Sequence, residues 1–149
     1  MDKKNDNSFF AMLSRMKYIE RWALMRNSLR ENVSEHSLET AVVAHALAII
    51  GNCRLGMDYD IEYIALLAMY HDCTEIITGD MPTPVKYYNT EIKDAYKEIE
   101  VNAAKNLLSR LPEDMALEYE KYLLPKEDAS VMKLIKAAEK ISALIKCIE

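Results

Sequence analysis

The chain has 149 residues, of which 50% are hydrophobic and 29% are charged, and this composition is typical of one soluble globular domain. Three glycines are too few for the glycine-rich loops that bind nucleotide phosphates, and a net charge of −5 argues against binding to long nucleic acid. No apolar run reaches the roughly 20 residues of a membrane span, and the first residues lack the apolar stretch of a secretory signal. The three widely spaced cysteines are expected to stay reduced, which predicts a cytoplasmic protein.

The spacing of apolar residues predicts an all-α fold, a compact bundle of about six helices that forms a single domain over residues 1–149. Asn32, with Glu35 three residues later, resembles a capping box that opens the second helix. Pro82 and Pro84 restrict the residues before them, so residues 78–84 are expected to be irregular, as are residues 22–34 and a turn at 52–58. The last helix meets no glycine or proline before Glu149, and we expect the natural chain to continue. The predicted helices cover residues 9–21, 32–50, 60–72 (with an alternative end at 77), 90–111, 113–123 and 129–149.

The third predicted helix directs ionisable groups toward its own apolar face. At about 100° per residue, His71, Asp72 and Glu75 fall on the face that carries the helix's isoleucines and alanines. Burying an ionised carboxylate costs several kcal/mol in practice unless it is paired or binds a metal. The pattern therefore indicates a metal site or a buried ion pair. In the alternative interpretation, the helix ends at Tyr70 and the three residues are solvated.

The chain has three histidines, His36, His45 and His71. His36 and His45 are nine residues apart, half a turn out of phase on a regular helix, so they cannot both face one site. His45 shares a stripe with apolar residues and is expected to be a hydrogen-bonded core residue. A histidine and an aspartate from one helix, with a histidine from a second, form a ligand set that suits a divalent transition metal. The stripe around His45 consists of Leu38, Val42, Ala46 and Ile49.

Two motifs, Glu35-His36-Ser37 and Tyr70-His71-Asp72, resemble the signature of the HD-domain metal-dependent phosphohydrolases. Residues 21–27, 31–38, 65–72 and 78–87 resemble more closely the bacterial HD-domain 5'-deoxynucleotidases, and a weaker resemblance continues to residues 146–149. The resemblance implies a homodimeric, metal-dependent enzyme that hydrolyses deoxyribonucleoside 5'-monophosphates to deoxynucleoside and phosphate.

The resemblance also implies the metal ligands, which are His36, His71 and Asp72. The family's fourth ligand is an aspartate in the last helix, and this chain has Glu139 at that position, in the run from Lys136. Glu139 is expected to ligate; the alternative is a solvated residue on the flank of the helix. The implied cofactor is one divalent transition metal: Mn, Fe, Co, Ni, Cu or Zn.

The same resemblance assigns the substrate residues. Arg21 would orient the phosphate through its planar guanidinium, and Trp22 would pack on the sugar and disfavour a ribose 2'-hydroxyl. Glu75 would transfer a proton to the leaving oxygen, with Asp80 as the alternative donor or as the group that holds the phosphate end or the attacking water. The remaining implied substrate contacts are His36, Met81, Pro82 and Thr83.

Two other functions remain open from the sequence. One is another HD-type phosphohydrolase, a phosphodiesterase or a triphosphohydrolase, although this short acidic chain lacks the further histidines and basic residues that a polyphosphate would need. The other is a non-catalytic helical binding module that has lost the metal, which the glutamate at position 139 favours.

Overall fold

The computed structural model describes residues 7–26, 28–126 and 128–148, and within these ranges the fold is all-α, as predicted. Residues 1–6, Asn27 and Glu149, on which parts of the sequence-based interpretation fell, lie outside the described residues. The helices are α1 (Phe9–Leu13), α2 (Val33–Leu55), α3 (Ile61–Tyr70), α4 (Glu75–Thr78), α5 (Thr83–Lys86), α6 (Thr90–Leu108), α7 (Glu113–Leu123) and α8 (Ala129–Ile148), with a 3-10 helix at Ser14–Tyr18. The six predicted helices are all present, and α4 and α5 are additional single turns.

The first helix is shorter than predicted. It ends at Leu13 and continues only as the 3-10 turn to Tyr18, after which Ile19 is extended. After Tyr18 the backbone forms hydrogen bonds with a distant segment instead of helical ones. The N–H of Val33 donates to the carbonyl of Ile19 (3.0 Å), and the N–H of Arg21 donates to the backbone carbonyl of Glu31 (2.9 Å). Arg21 is therefore held against the entrance of α2 instead of lying on a helix.

The second helix begins as predicted and ends later. The Asn32 side chain accepts from the Glu35 N–H (3.1 Å) and the Glu35 carboxylate accepts from the Asn32 N–H (3.0 Å), which completes the capping box. The helix then runs to Leu55 instead of about residue 50, so the turn predicted at 52–58 is wrong for residues 52–55 and correct for residues 56–58. Gly51 does not end the helix; it admits Tyr59, whose Cε2 would lie 2.8 Å from a Cβ there.

The prediction for residues 78–84 is correct in the middle and wrong at its ends. Thr78 belongs to α4, and α5 begins at Thr83, while residues 79–82 are irregular. Pro84 lies in the first turn of α5, where a helix needs no backbone N–H from it. This arrangement leaves a short, partly buried irregular loop between two single-turn helices.

The core beside α2 is built from small side chains. Alanines on one face of α2 pack with Ile64 and Leu67 of α3 and with Ile135 of α8, while a second cluster around Phe9 joins α1, α6 and α7. By length and hydropathy alone α2 would also qualify as a membrane span, but its buried face packs along α3 and α8 as in a core helix. The α2 alanines that pack in this core are Ala41, Ala44 and Ala48.

That a single domain covers the whole chain stays a prediction.

His45 is exposed, and its prediction as a core residue is wrong. Leu38 and Val42, on the same stripe, are 59% and 62% exposed, and Ile49 is partly exposed. Because α2 is apolar on most of its circumference, the sequence pattern could not show which side faces the core. The alanine face is buried since small residues let α3 and α8 approach closely.

Candidate active site

Three side chains from α2 and from the end of α3 converge on one point. His36 lies in the first turns of α2, while His71 and Asp72 follow the last residue of α3. The Oδ2 atom of Asp72 lies 3.0 Å from Nε2 of His71 and 3.6 Å from Nε2 of His36. Each residue offers one ligand atom, and the three atoms lie within 4.8 Å of one another.

α3, which directly precedes His71 and Asp72, ends at Tyr70, as the alternative interpretation placed its end. A short turn then leads into α4, but the residues of the turn are not solvated. The side chains of His71 and Asp72 are only 11% and 20% exposed, and Glu75 is buried. The turn therefore directs these groups into the protein.

The ring orientations of the two histidines fit a metal. The Nδ1–H of His71 donates to the carbonyl of Ala68 (2.5 Å), and among the described residues its buried Nε2 has no hydrogen-bond partner of good geometry. Burial, and then the charge of Arg21, lower the pKa of His36 to about 3, so this imidazole is neutral. Burial lowers the pKa of His71, but the charge of Asp72 and its hydrogen bond outweigh burial and raise it to about 9, so without a metal this ring is protonated and a metal ion would displace the proton at Nε2. Two imidazoles with Nε2 directed at a shared carboxylate are a donor set that Zn²⁺ and its neighbours accept.

Glu139 of α8 reaches the edge of this cluster. Its Oε1 lies 3.6 Å from Nε2 of His71, and its side chain is 39% exposed. Burial, followed by the charge of Asp72, raises the pKa of Glu139, whereas the nearby His71 lowers it. The structure thus brings Glu139 to the site without including it in the compact group of three.

Arg21 and Trp22 lie beside the cluster on the irregular segment between the 3-10 helix and α2. Nη1 of Arg21 is 3.6 Å from Oδ2 of Asp72, while its Nε donates to Oε2 of Glu31 (3.0 Å). The indole Nε1–H of Trp22 donates to the same Glu31 oxygen (2.6 Å). The sequence interpretation missed Glu31, because an acidic residue before a helix cap carries no signal of its partners.

The loop at residues 79–82 faces the same segment. The carboxylate of Asp80 accepts a hydrogen bond from the backbone N–H of Trp22, and Met81 and Pro82 are partly buried beside it. Thr83 is exposed as the first residue of α5. Two irregular segments that are far apart in sequence therefore meet at Trp22.

Glu75 is a buried carboxyl group on the other side of Asp72. Its Oε2 has no hydrogen-bond partner among the described residues. Burial, then the charges of Asp72 and Asp80, hold the pKa of Glu75 well above its ordinary value. At neutral pH this residue is a carboxylic acid with a proton to give.

A cleft of about 580 Å³, which the sequence interpretation did not anticipate, borders the ring of His71. It opens between α6 and α8, and its wall combines apolar side chains with Lys136 and Glu100. Contacts between helices that are distant in sequence create this space, so no local motif could have indicated it.

The family model described as "5'-deoxynucleotidase YfbR-like" matches residues 8–149, which is nearly the whole chain. The chain belongs to the YfbR-like 5'-deoxynucleotidase family. This result confirms the resemblance drawn from the motifs around His36 and His71.

Curated relatives agree with this assignment. A 5'-deoxynucleotidase of Vibrio parahaemolyticus is 52% identical over 148 residues, covering 97% of this chain and 75% of its own length. The 5'-deoxynucleotidase YfbR of Shigella boydii is 50% identical, covering 95% of this chain and 71% of its own. The chain thus spans about three quarters of the length of these family members.

Solved structures give the same fold. An HD-domain phosphohydrolase from Listeria innocua superposes with a TM-score of 0.81 at 26% identity, covering 93% of this chain and 66% of that one. A cyanophage S-2L HD phosphohydrolase superposes with a TM-score of 0.66 at 23% identity, covering 91% and 68%. The helical arrangement around the histidines is therefore that of HD-domain phosphohydrolases.

Proposed function

We propose that this chain hydrolyses deoxyribonucleoside 5'-monophosphates to the deoxynucleoside and inorganic phosphate with the help of one divalent transition metal. The proposal depends above all on one juxtaposition, the Arg21 guanidinium 3.6 Å from the carboxylate that His36 and His71 also approach. A cation beside a metal-ligand set is what a phosphate monoester requires, since the ester carries two negative charges near the metal.

His36, His71 and Asp72 would hold the metal, with Glu139 as the fourth ligand from α8. When bound, the metal supplies a water of lowered pKa and polarises a phosphoryl oxygen. The imidazole and carboxylate donors suit Mn, Fe, Co, Ni, Cu or Zn. The hydrogen bond from His71 to Ala68 fixes the ring so that Nε2 faces the site.

Arg21 would bind the non-bridging phosphate oxygens. Its Nε is occupied by Glu31, so the outer edge of the guanidinium remains for the phosphate. As water adds to phosphorus and the bond to the 5'-oxygen breaks, negative charge grows on these oxygens. The fixed guanidinium stabilises that charge without having to reorganise.

Glu75 would donate the proton that the leaving 5'-oxygen needs. The group is buried, its raised pKa keeps it protonated at neutral pH, and its Oε2 is unpaired among the described residues. These are the properties of a general acid matched to neutral pH. Asp80, which is engaged with the N–H of Trp22, is better placed to hold the substrate than to donate a proton.

Trp22 would select deoxyribose. Its indole is fixed by Glu31 and its backbone by Asp80, so the ring forms a rigid wall beside the phosphate site. Such a wall admits a hydrogen at C2' and crowds a hydroxyl. His36 would also contact the substrate, and Met81, Pro82 and Thr83 would close the remaining side of the pocket.

Phosphate release from a panel of nucleotides tests the function. We expect the metal-loaded protein to release phosphate from deoxynucleoside monophosphates, more slowly from ribonucleoside monophosphates, and not from cyclic dinucleotides or triphosphates. Preference for a triphosphate or a diester would favour the other type of HD phosphohydrolase. Metal binding without any turnover would favour the non-catalytic module.

The chain would act as a homodimer, as the family resemblance implies. The exposed apolar stripe of α2 at Leu38 and Val42 supports this proposal, because it is a surface that a second copy could cover. Val42→Lys should reduce the mass measured by sedimentation from two chains to one. The control Ile99→Lys, at a half-exposed apolar residue of α6, should leave the dimer intact.

The enzyme would work in the cytoplasm. Cys53, Cys73 and Cys147 are all free in the structure, as a reducing compartment predicts. Cell fractionation, with thiol titration of the denatured protein, tests this: we expect activity in the cytoplasmic fraction and three titratable thiols per chain. Recovery of the activity outside that fraction would contradict the proposal.

A further inference from the structure

Glu31 is a buried carboxylate that the proposed chemistry does not use. It lies directly before the cap of α2, and its side chain is 5% exposed. One of its oxygens, Oε2, accepts from both Nε of Arg21 (3.0 Å) and Nε1 of Trp22 (2.6 Å). The two residues proposed to contact phosphate and sugar thus share a single acceptor atom.

The backbone around Trp22 explains why such an anchor is needed. Trp22 has a φ of 65°, in the left-handed region that residues other than glycine rarely occupy. This conformation persists only where the surroundings determine it strongly. The Glu31 oxygen holds the indole end of the residue and the Asp80 carboxylate holds its N–H.

The same oxygen sets the orientation of Arg21. A guanidinium has five N–H donors in one plane, so a hydrogen bond at Nε fixes the direction of the other four. The backbone N–H of Arg21 donates to the carbonyl of Glu31 (2.9 Å), which fixes the base of the side chain as well. With Nε bonded to Glu31, Nη1 points toward Asp72.

We propose that Glu31 is a positioning residue that aligns Arg21 and Trp22 together, so that one buried carboxylate controls both the phosphate contact and the preference for deoxyribose. The inference rests on the roles proposed for those two residues. It goes beyond them by predicting that phosphate binding and sugar selection are lost together when Glu31 changes.

The test is Glu31→Gln, which keeps the shape of the side chain but removes the negative charge that strengthens both hydrogen bonds. We expect kcat/KM for deoxynucleoside monophosphates to fall about tenfold or more, which corresponds to the loss of a charge-assisted hydrogen bond. The ratio of rates between deoxyribo- and ribonucleotides should fall in the same variant. Metal content should not change, because Glu31 is not among the grouped ligands His36, His71 and Asp72.

Trp22 is the only tryptophan in the chain, so its fluorescence reports directly on the indole that Glu31 holds. In Glu31→Gln the emission should shift and quenching by acrylamide should increase. If Glu31→Gln does not fold, Glu31→Asp provides the same comparison, because its shorter side chain retains the charge but cannot reach both donors.

Glu35→Gln is the matched control. Glu35 caps the same helix terminus from the exposed side and contacts neither Arg21 nor Trp22. This variant should lower the melting temperature while the tryptophan signal and the sugar preference stay as in the wild type. It therefore separates a loss of stability at the start of α2 from a loss of positioning.

The proposal is overturned if the Trp22 emission and quenching of the Glu31 variant match those of the wild type. A changed Trp22 signal with unchanged sugar preference would overturn the claim that Glu31 controls selectivity. If instead the proposed function is wrong, Arg21→Ala and Trp22→Ala would leave the kinetics unchanged. The fluorescence of Trp22 in the Glu31 variants would still differ from that of the wild type.

Discussion

The proposed metal ligands and the proposed substrate residues occupy two structurally different regions. His36, His71 and Glu139 lie on helices, or at their ends, that pack around the alanine face of α2. Arg21, Trp22 and Asp80 lie on two irregular segments that are held by individual hydrogen bonds. A packed helical core fixes ligand positions to the tolerance that a metal requires. Loops held by a few polar contacts can instead change selectivity without disturbing that core.

Because the proposed metal ligands lie in the packed helical region, substitution of a ligand there should remove the metal and all activity together. His71→Ala should lose both, because His36 is already proposed as a ligand and His45 lies on the exposed side of α2, so no histidine is free to replace it. Metal content by mass spectrometry and phosphate release should fall in parallel. His45→Ala, at an exposed histidine of α2, should change neither. Full metal retention in His71→Ala would exclude His71 as a ligand.

Substitutions in the irregular segments should lower kcat and leave the metal bound. Arg21→Ala should lower kcat by about 100-fold, the size expected for the loss of one fixed electrostatic donor. Arg26→Ala, at an exposed arginine of the same segment, serves as the control and should retain full activity. An Arg21→Ala protein with unchanged kcat/KM would remove Arg21 from the phosphate site.

Trp22→Ala should change selectivity more than rate. Removal of the indole opens the space beside C2', so the preference for deoxyribose should fall, by roughly tenfold on the scale of small steric differences in a pocket. Rates measured side by side on a deoxynucleotide and its ribonucleotide provide the comparison. A folded variant that keeps the preference would place the selective wall elsewhere.

The smallest predicted effect concerns Glu139, where the carboxylate is one methylene longer than in the family pattern. A metal site tolerates ligand distances only within about 0.2 Å, so the longer side chain should bind less well than aspartate would. Glu139→Asp should therefore raise metal affinity modestly, and Glu139→Ala should lower it by at least about tenfold. Metal titrations of both variants decide the point. If neither variant differs from the wild type, three protein ligands suffice.

The sequence predicted what local patterns determine. The capping box at Asn32, the bounds of α7 and the placement of His36 and His45 on opposite sides of α2 depend on residues within a few turns of one another. For the same reason, the metal-ligand motif could be identified from short segments. The fold class followed from the low glycine content and the helical spacing of apolar residues.

The sequence did not predict what depends on contacts between distant segments. The buried side of α2 is chosen by α3 and α8, so the interpretation of His45 was wrong. The extended backbone at Ile19 is stabilised because the N–H of Val33 donates to the Ile19 carbonyl, and no signal within residues 9–21 reveals this. Glu31 acquires its importance only when Arg21 and Trp22 fold back onto it.

Restoration of activity by metal is the sharpest test of metal-dependent deoxynucleotide hydrolysis by this chain. The wild-type protein is treated with a chelator, the chelator is removed, and phosphate release from a deoxynucleoside monophosphate is measured before and after one equivalent of Mn²⁺, Co²⁺ or Zn²⁺ is added. We expect no release without metal and restored release with at least one of these ions, faster than on the matching ribonucleotide. Release that is equally fast without metal, or no release with any ion, would contradict it.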